Sequence, residues 1–444
     1  MTELTLGLVL IGALVVLVLM GMHIAMALFS VGFAGVWLIR EDGGLAMQLM
    51  YMSAYNGIAD YLFATIPLFV LMGLLVSISN VGKDTFEVAE ALLRRLRGGL
   101  AIATVAANMM FAAVTGVSIA SAAVFTKIAV PEMVRHGYRE SFAAGTVAGS
   151  SILGMLIPPS LLLIIYGVLA EQSIGKLFIA GLIPGVLMAF GFAVMIFIVI
   201  TFFPSFALDL KRKREQAEAG RARAPSVLTL GQISSKLLPI VALMVLVLGG
   251  LYTGFFTPTE AGGVGAFGAL VISLARRRLS GSRMWQVLKE TAGVSVGILI
   301  LLMAAAFYSR MLAVAGVPMA IADFVEGAGL GLYGFLFVYV VILLLMGMIL
   351  DSSSILLIMT PIAVPIASAL GFDLIQFGIL TVIAVEIGLL TPPFGISVFT
   401  VKSTLNDPRI SVESIFGGVL PYIAVMLLSL VFIVAFPQLT LALI

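Results

Sequence analysis

Two short segments break an otherwise apolar pattern in a way that creates binding chemistry. They are Gly154-Met155-Leu156-Ile157-Pro158-Pro159-Ser160 and Gly388-Leu389-Leu390-Thr391-Pro392-Pro393-Phe394. Proline has no amide hydrogen, and its ring collides with the preceding helical turn. It also pushes the residue before it out of helical geometry. A proline pair close to a glycine therefore unwinds about one helical turn and bares backbone carbonyls. In a lipid environment such carbonyls must be buried or must ligate something. A simple proline kink explains one such segment. A matched pair of them points to a cation or substrate site.

Hydroxyls supply the second set of candidate ligands. Gly116, Ser118 and Ser121 cluster at one predicted helical turn, and Asp351, Ser352, Ser353 and Ser354 at another. Hydroxyl, carbonyl and carboxylate oxygens are the hard ligands that a small cation prefers. Helix capping is the competing role for these serines. Glu386, just before Gly388, and Asp351 are ionisable residues in apolar surroundings, and a charge there faces a cavity or a partner. The candidate cation-binding set is thus Gly116, Ser118, Ser121, Gly154, Pro158, Pro159, Asp351, Ser352, Ser353, Ser354, Glu386, Gly388, Thr391, Pro392 and Pro393. Ser160, Ser354 and Gly395 are expected to face substrate. Lys127, Arg310 and Glu260 are read as interfacial anchors or helix-end partners.

Other chemistries lack their residues. The chain has no cysteine, so disulfides, thiolate-bound zinc and thiol catalysis are excluded. His23 and His136, the two histidines, lie far apart in sequence and read as helix-end residues, so sodium rather than a transition metal is the ion in view. No phosphate-binding loop, zinc-protease motif, nucleophile elbow or potassium filter is present. An enzymatic role is not expected.

The elements that position these residues follow from composition. Of 444 residues, 61% are hydrophobic and 10% charged, with a mean hydropathy of +1.21. A soluble chain carries roughly a quarter charged residues. Apolar runs long enough to cross a bilayer recur at Leu4–Met20, Ile24–Ile39, Tyr61–Ser79, Leu177–Phe203, Leu237–Tyr252 and Val419–Phe436. The first is read as a retained span, since Met1-Thr2-Glu3 lacks a signal-peptide n-region. The expectation is an all-α polytopic membrane protein.

The two halves resemble each other at one offset of 234 residues. Ile128-Ala129-Val130-Pro131 recurs as Ile362-Ala363-Val364-Pro365, Gly154 as Gly388, and Pro158-Pro159 as Pro392-Pro393. Ser118 falls on Ser352 and Gly82 on Gly316. Positive loops stay cytoplasmic. Loop 82–98 carries Lys83, Arg94, Arg95 and Arg97, whereas its counterpart 316–332 has only Asp323 and Glu326. Segment 272–289 is basic and its counterpart 38–55 holds Arg40 alone. Equivalent loops therefore face opposite sides, and the repeat is expected to be inverted. Each half would hold about five crossings plus a helical hairpin and a broken helix, with both termini outside. The expected division is 1–203 for the first half (scaffold 1–80, hairpin and broken helix 99–170) and 237–444 for the second (scaffold 237–311, hairpin and broken helix 333–404). Between them, 204–236 reads as a basic cytoplasmic linker containing Lys211-Arg212-Lys213-Arg214, Arg221 and Arg223.

Thr115-Gly116-Val117-Ser118, the Leu156–Ser160 run, Tyr166-Gly167, Thr257–Ala261, Met348–Asp351, Thr360-Pro361-Ile362 and Glu386–Pro393 together resemble the large membrane subunit of TRAP (tripartite ATP-independent periplasmic) transporters. The resemblance spans nearly the whole chain. It implies the ion transporter superfamily fold and an elevator motion of 99–170 and 333–404 against the outer helices. It further implies sodium-driven import of small organic acids, such as C4-dicarboxylates or sugar acids, across the bacterial inner membrane. The implied partners are a small four-helix membrane subunit and a periplasmic substrate-binding protein, with membrane lipid around the chain and no nucleic acid. No cofactor beyond the coupling sodium is implied. A stand-alone ion-coupled organic-anion transporter or exchanger of the same fold is the alternative.

Overall fold

A computed structural model describes residues 2–209, 228–408 and 410–444. The first half runs α1 (Glu3–Leu19), α2 (Ile24–Arg40), α3 (Gly43–Ala59), a 3₁₀ turn at Tyr61–Ala64, α4 (Thr65–Ile78), α5 (Val81–Leu93), α6 (Gly99–Thr115), α7 (Ser118–Arg135), α8 (Glu140–Ser151), α9 (Leu153–Leu156), α10 (Leu161–Leu169), α11 (Ile174–Phe202) and α12 (Pro204–Ala207). The second half runs α13 (Leu230–Tyr252), α14 (Pro258–Ala275), α15 (Gly281–Val314), α16 (Val317–Gly327), α17 (Gly331–Gly347), α18 (Ser352–Ala369), α19 (Leu374–Gly388), α20 (Ile396–Leu405), α21 (Val412–Ala435) and α22 (Gln438–Leu441). The described residues are all-helical, apart from one isolated antiparallel bridge between Tyr138 and Leu208.

Seven described helices are long and apolar enough to cross a membrane, or eight if the bent pair 140–156 and 161–169 counts as one span. The outward faces are apolar as well: Leu8, Trp37, Val245, Phe337 and Val431 are all exposed. Lipid, not water, is the solvent that such a surface requires. Helix starts coincide with capping side chains. Thr257 and Glu260 form a reciprocal capping box at the start of α14, which makes Glu260 the helix-end partner expected of it. His23 is the N-cap of α2 and His136 the C-cap of α7.

Starts of equivalent helices keep the sequence offset. The pairs α2 and α14, α7 and α18, and α8 and α19 each begin 234 residues apart. Close packing between halves uses small residues, as lipid-embedded helices require in the absence of a hydrophobic drive between them. A Cβ on Gly145 of α8 would lie 2.5 Å from the Gly418 carbonyl oxygen of α21. Thr65 and Thr259 share a buried hydrogen bond of 2.7 Å across the halves.

One boundary differs from the sequence expectation. The second half begins at Leu230, not 237, and Pro204–Ala207 is a short helix rather than linker. The polar residues that resemble linker are the first two turns of α13. Thr229 and Gln232 form a capping box there, and Lys236 pairs with Glu87 and, at 3.7 Å, with Asp84 of α5. Arg276 of α14 pairs with the same Asp84. Charges that read as solvated are spent holding α5 to α13 and α14. The basic residues Lys211–Arg214, Arg221 and Arg223 lie outside the described residues.

Candidate functional site

Both proline pairs interrupt their helices. In the first half α9 stops at Leu156, Ile157 turns extended, and α10 restarts at Leu161 with the axis bent by 42°. In the second half α19 stops at Gly388 and α20 restarts at Ile396. The Pro158–Pro159 and Pro392–Pro393 peptide bonds are both cis.

The first hairpin is α6 and α7, turning at Gly116-Val117. Each arm is about 26 Å long, shorter than the roughly 30 Å of hydrocarbon. Gly116 sits at φ +64°, a left-handed conformation that favours glycine. A Cβ there would lie 2.6 Å from the Pro159 carbonyl oxygen. The Gly116 carbonyl in turn accepts from the Leu161 amide at 3.3 Å. The first tip is therefore docked on the first break, and the whole run Gly154–Ser160 is buried beneath it.

The second hairpin, α17 and α18, sits differently. Gly347 and Gly388 touch backbone to backbone, since a Cβ on Gly347 would lie 2.6 Å from the Gly388 Cα. Beyond that contact Pro392, Pro393 and Phe394 are exposed and Thr391 is half-buried. A cleft of about 510 Å³ opens between Ile349, near the second tip, and Phe394, Ile396, Phe399, Thr400 and Ser403. The first break is thus buried beneath its tip, whereas the proline segment of the second is exposed.

Glu386 is fully buried at the end of α19. Ser352 Oγ donates to its Oε1 at 2.8 Å. The Ser118 hydroxyl adjoins the same carboxylate, yet neither Ser118 Oγ nor Glu386 Oε2 completes a hydrogen bond among the described residues. Ser118 and Ser352 are equivalent residues, each the first of its helix after a tip. Serines from both hairpins therefore converge on one carboxylate. A buried carboxylate with a single hydrogen bond is neutralised either by a proton or by a positive partner. Among the described residues, Thr360 Oγ1 on α18 and Ser397 Oγ on α20 are buried without a partner as well; Thr360 entered the sequence reading only as part of a family motif, and Ser397 not at all.

Other expected site residues are engaged in structural bonds. Asp351 is the N-cap of α18, accepting from the Ser354 amide at 3.2 Å and from the Ser354 hydroxyl. Ser160 accepts from the Leu163 amide at 3.3 Å and donates to the Met155 carbonyl. Thr391 Oγ1 donates to the Ile387 carbonyl at 2.7 Å. Ser353 is half-buried. Gly395 lies under Phe416, 2.6 Å from where a Cβ would be. Capping is what Ser160 performs here, and at the second tip Asp351 is the cap while Ser354 donates to it.

Ser121 donates to Asn108 Oδ1, and Asn108 Nδ2 donates to Ser150 Oγ at 2.8 Å and to the Val147 carbonyl at 3.4 Å. Asn108 thereby ties both hairpin arms to α8. It was missed in the sequence, where the available signal was one amide in the apolar run of α6. At the far end of α7, His136 meets Glu90 and Glu132 with ligand atoms within 4.8 Å of one another. Glu132 there also pairs with Arg135 at 3.4 Å.

Residues 11–439 match the family described as "Tripartite ATP-independent periplasmic transporter, DctM component". The chain belongs to the TRAP transporter DctM family. It is 35% identical over 415 residues to the C4-dicarboxylate TRAP transporter large permease DctM of Pseudomonas aeruginosa, covering 93% of each chain. It is 30% identical to the sialic acid large permease SiaM of Vibrio cholerae, covering 95% of each. The 2,3-diketo-L-gulonate large permease YiaN of Escherichia coli is 31% identical, with 97% of each covered. These relatives are named as permeases, not enzymes. Among solved structures, the YdaH transporter of Alcanivorax borkumensis superposes with a TM-score of 0.57 at 13% identity, covering 90% of each chain. MtrF of Neisseria gonorrhoeae gives 0.57 at 14% identity, covering 88% of this TRAP permease and 84% of MtrF. At that identity the likeness is one of fold. The TRAP chain is thus a multi-pass large permease on a transporter scaffold.

Proposed function

We propose that this TRAP permease imports a small organic acid of the C4-dicarboxylate or sugar-acid type across the bacterial inner membrane, driven by sodium. The reading is supported by relatives named for C4-dicarboxylate, sialic acid and 2,3-diketo-L-gulonate. The observation that carries it is the buried Glu386 carboxylate, flanked by equivalent serines from both hairpins, with Oε2 and the Ser118 hydroxyl left without a hydrogen bond among the described residues. Sodium, taking about five or six hard oxygen ligands, fits that donor set. The coupling cation is the cargo that neutralises Glu386, and Ser118, Ser352 and the bared carbonyls of the two breaks complete its shell. The acid occupies the cleft between Ile349 and the segment Phe394–Ser403.

The halves are inverted copies, and the hairpins with their broken helices move as one body in an elevator step. Both termini lie on the periplasmic side. A periplasmic binding protein delivers the substrate, and a small membrane subunit packs against the outer helices.

Reconstitution into vesicles tests the proposal. Uptake of labelled acid is expected only with an inward sodium gradient, the small subunit and a loaded binding protein present together. Uptake by the permease alone would favour the stand-alone exchanger. Full uptake without sodium would remove the coupling claim.

A further inference from the structure

A second cavity, of about 320 Å³, lies away from the hairpins. Its walls are Ser77, Ile78 and Asn80 from the end of α4, Arg278 from the turn after α14, and Arg283, Gln286, Val287 and Glu290 from α15. Helix α15 has 34 residues and is therefore about 51 Å long, against roughly 30 Å of hydrocarbon. Part of it must lie outside the apolar layer. Arg283, Gln286, Lys289 and Glu290 mark its first three turns as that part. Trp285, 62% exposed, sits on the same stretch, at the level where amphipathic rings meet lipid headgroups.

The charges in this cavity are available. Arg283 Nη1 donates to the Arg278 carbonyl at 2.8 Å, which seats the Arg283 guanidinium against the Arg278 backbone. Neither guanidinium forms an ion pair among the described residues, in contrast to Arg276, which is paired with Asp84. Glu290, the one acidic wall residue, accepts from Gln286 at 2.9 Å and so has a neutral donor. Arginine presents a planar fork of donors that matches phosphate oxygens. Basic pockets between helices at the membrane surface hold lipid headgroups.

We propose that this cavity is a phospholipid site, with Arg278 and Arg283 holding the phosphodiester and the acyl chains running along the same face of α15 past Val294, where Gly293 and Gly297 leave open space. A free phosphate offers the same oxygens, but only a lipid also covers exposed Val294, which stands on the cavity's face of α15 one turn beyond Glu290.

The full-length permease, delipidated in detergent and titrated with phosphatidylglycerol, tests this by native mass spectrometry. Arg278→Ala/Arg283→Ala is expected to weaken lipid retention about tenfold or more, and Arg278→Lys/Arg283→Lys to weaken it less. Arg95→Ala/Arg97→Ala, a basic pair elsewhere in the chain, should leave retention as in wild type. Equal loss with the Arg95/Arg97 control would show a diffuse charge effect and overturn the site, as would unchanged retention in the Arg278/Arg283 variant. Displacement of the lipid by millimolar inorganic phosphate alone would overturn the lipid in favour of a soluble anion. An unchanged elution profile on size exclusion keeps a folding defect from mimicking loss of binding.

Discussion

Gly116 and Asn108 decide how the first hairpin holds its place. Gly116→Ala puts a Cβ into the Pro159 carbonyl at a backbone angle of +64°. Strain of this kind costs about 1–3 kcal/mol, so the variant should unfold several degrees earlier in detergent and lose uptake. A wild-type melting temperature would mean that the tip is not docked on the break. Asn108→Ala leaves Ser121 and Ser150 without their shared partner in a buried setting, at a cost of about 1–3 kcal/mol. The check is thermal unfolding of the variant beside Ser121→Ala, which should be milder because Asn108 keeps its bonds to Ser150 and Val147. The proline pairs were legible in the sequence because proline acts on its own neighbours. Asn108 was not, since its partners lie 13 and 42 residues away and nothing local announces them. The same limit hid the fate of Ser160 and Asp351. Their composition fitted both a cap and a ligand, and only geometry separates the two.

At the scale of elements, the two broken helices are alike in sequence and unlike in setting. Pro158-Pro159 is buried under the Gly116 tip, whereas Pro392-Pro393 is exposed beside an open cleft. Replacing either pair with alanines should straighten the helix, remove the bared carbonyls and abolish uptake while the protein still inserts. The stability readings should differ. Substitution of the exposed pair should stay within about 0.5 kcal/mol of wild type, as surface changes generally do. Substitution of the buried pair disturbs packing and should cost more. Wild-type uptake by both double variants would show that the breaks take no part in transport. Helix existence and order could be read from apolar runs and from the offset. The start of α13 could not, because Gln232, Ser234, Ser235 and Lys236 look solvated until Lys236 is seen against Asp84 and Glu87.

For the whole molecule, the halves are laced together by buried hydroxyls. Tyr166 Oη of α10 donates to the Leu374 carbonyl at 2.6 Å, and Tyr422 Oη of α21 donates to Thr146 at 2.8 Å. Each tie runs from a helix of one half to a helix of the other, α10 to α19 and α21 to α8, so the two broken helices are packed together in one body. An elevator step needs such a body, and it needs the two halves to face opposite ways, so that one set of tips opens outward and the other inward. Orientation is the premise on which everything about alternating access depends. It is read from the charge bias of the loops. The chain has no cysteine, so single cysteines report orientation without background. Arg97→Cys lies in the loop before α6, and Glu326→Cys lies in α16 before the equivalent loop of the second half. In intact cells a membrane-impermeant maleimide should label Cys at 326 and spare Cys at 97, and in inside-out vesicles the pattern should reverse. Labelling of both positions from the same side would mean parallel copies, and the shared elevator body would then have no outward and inward tip to exchange.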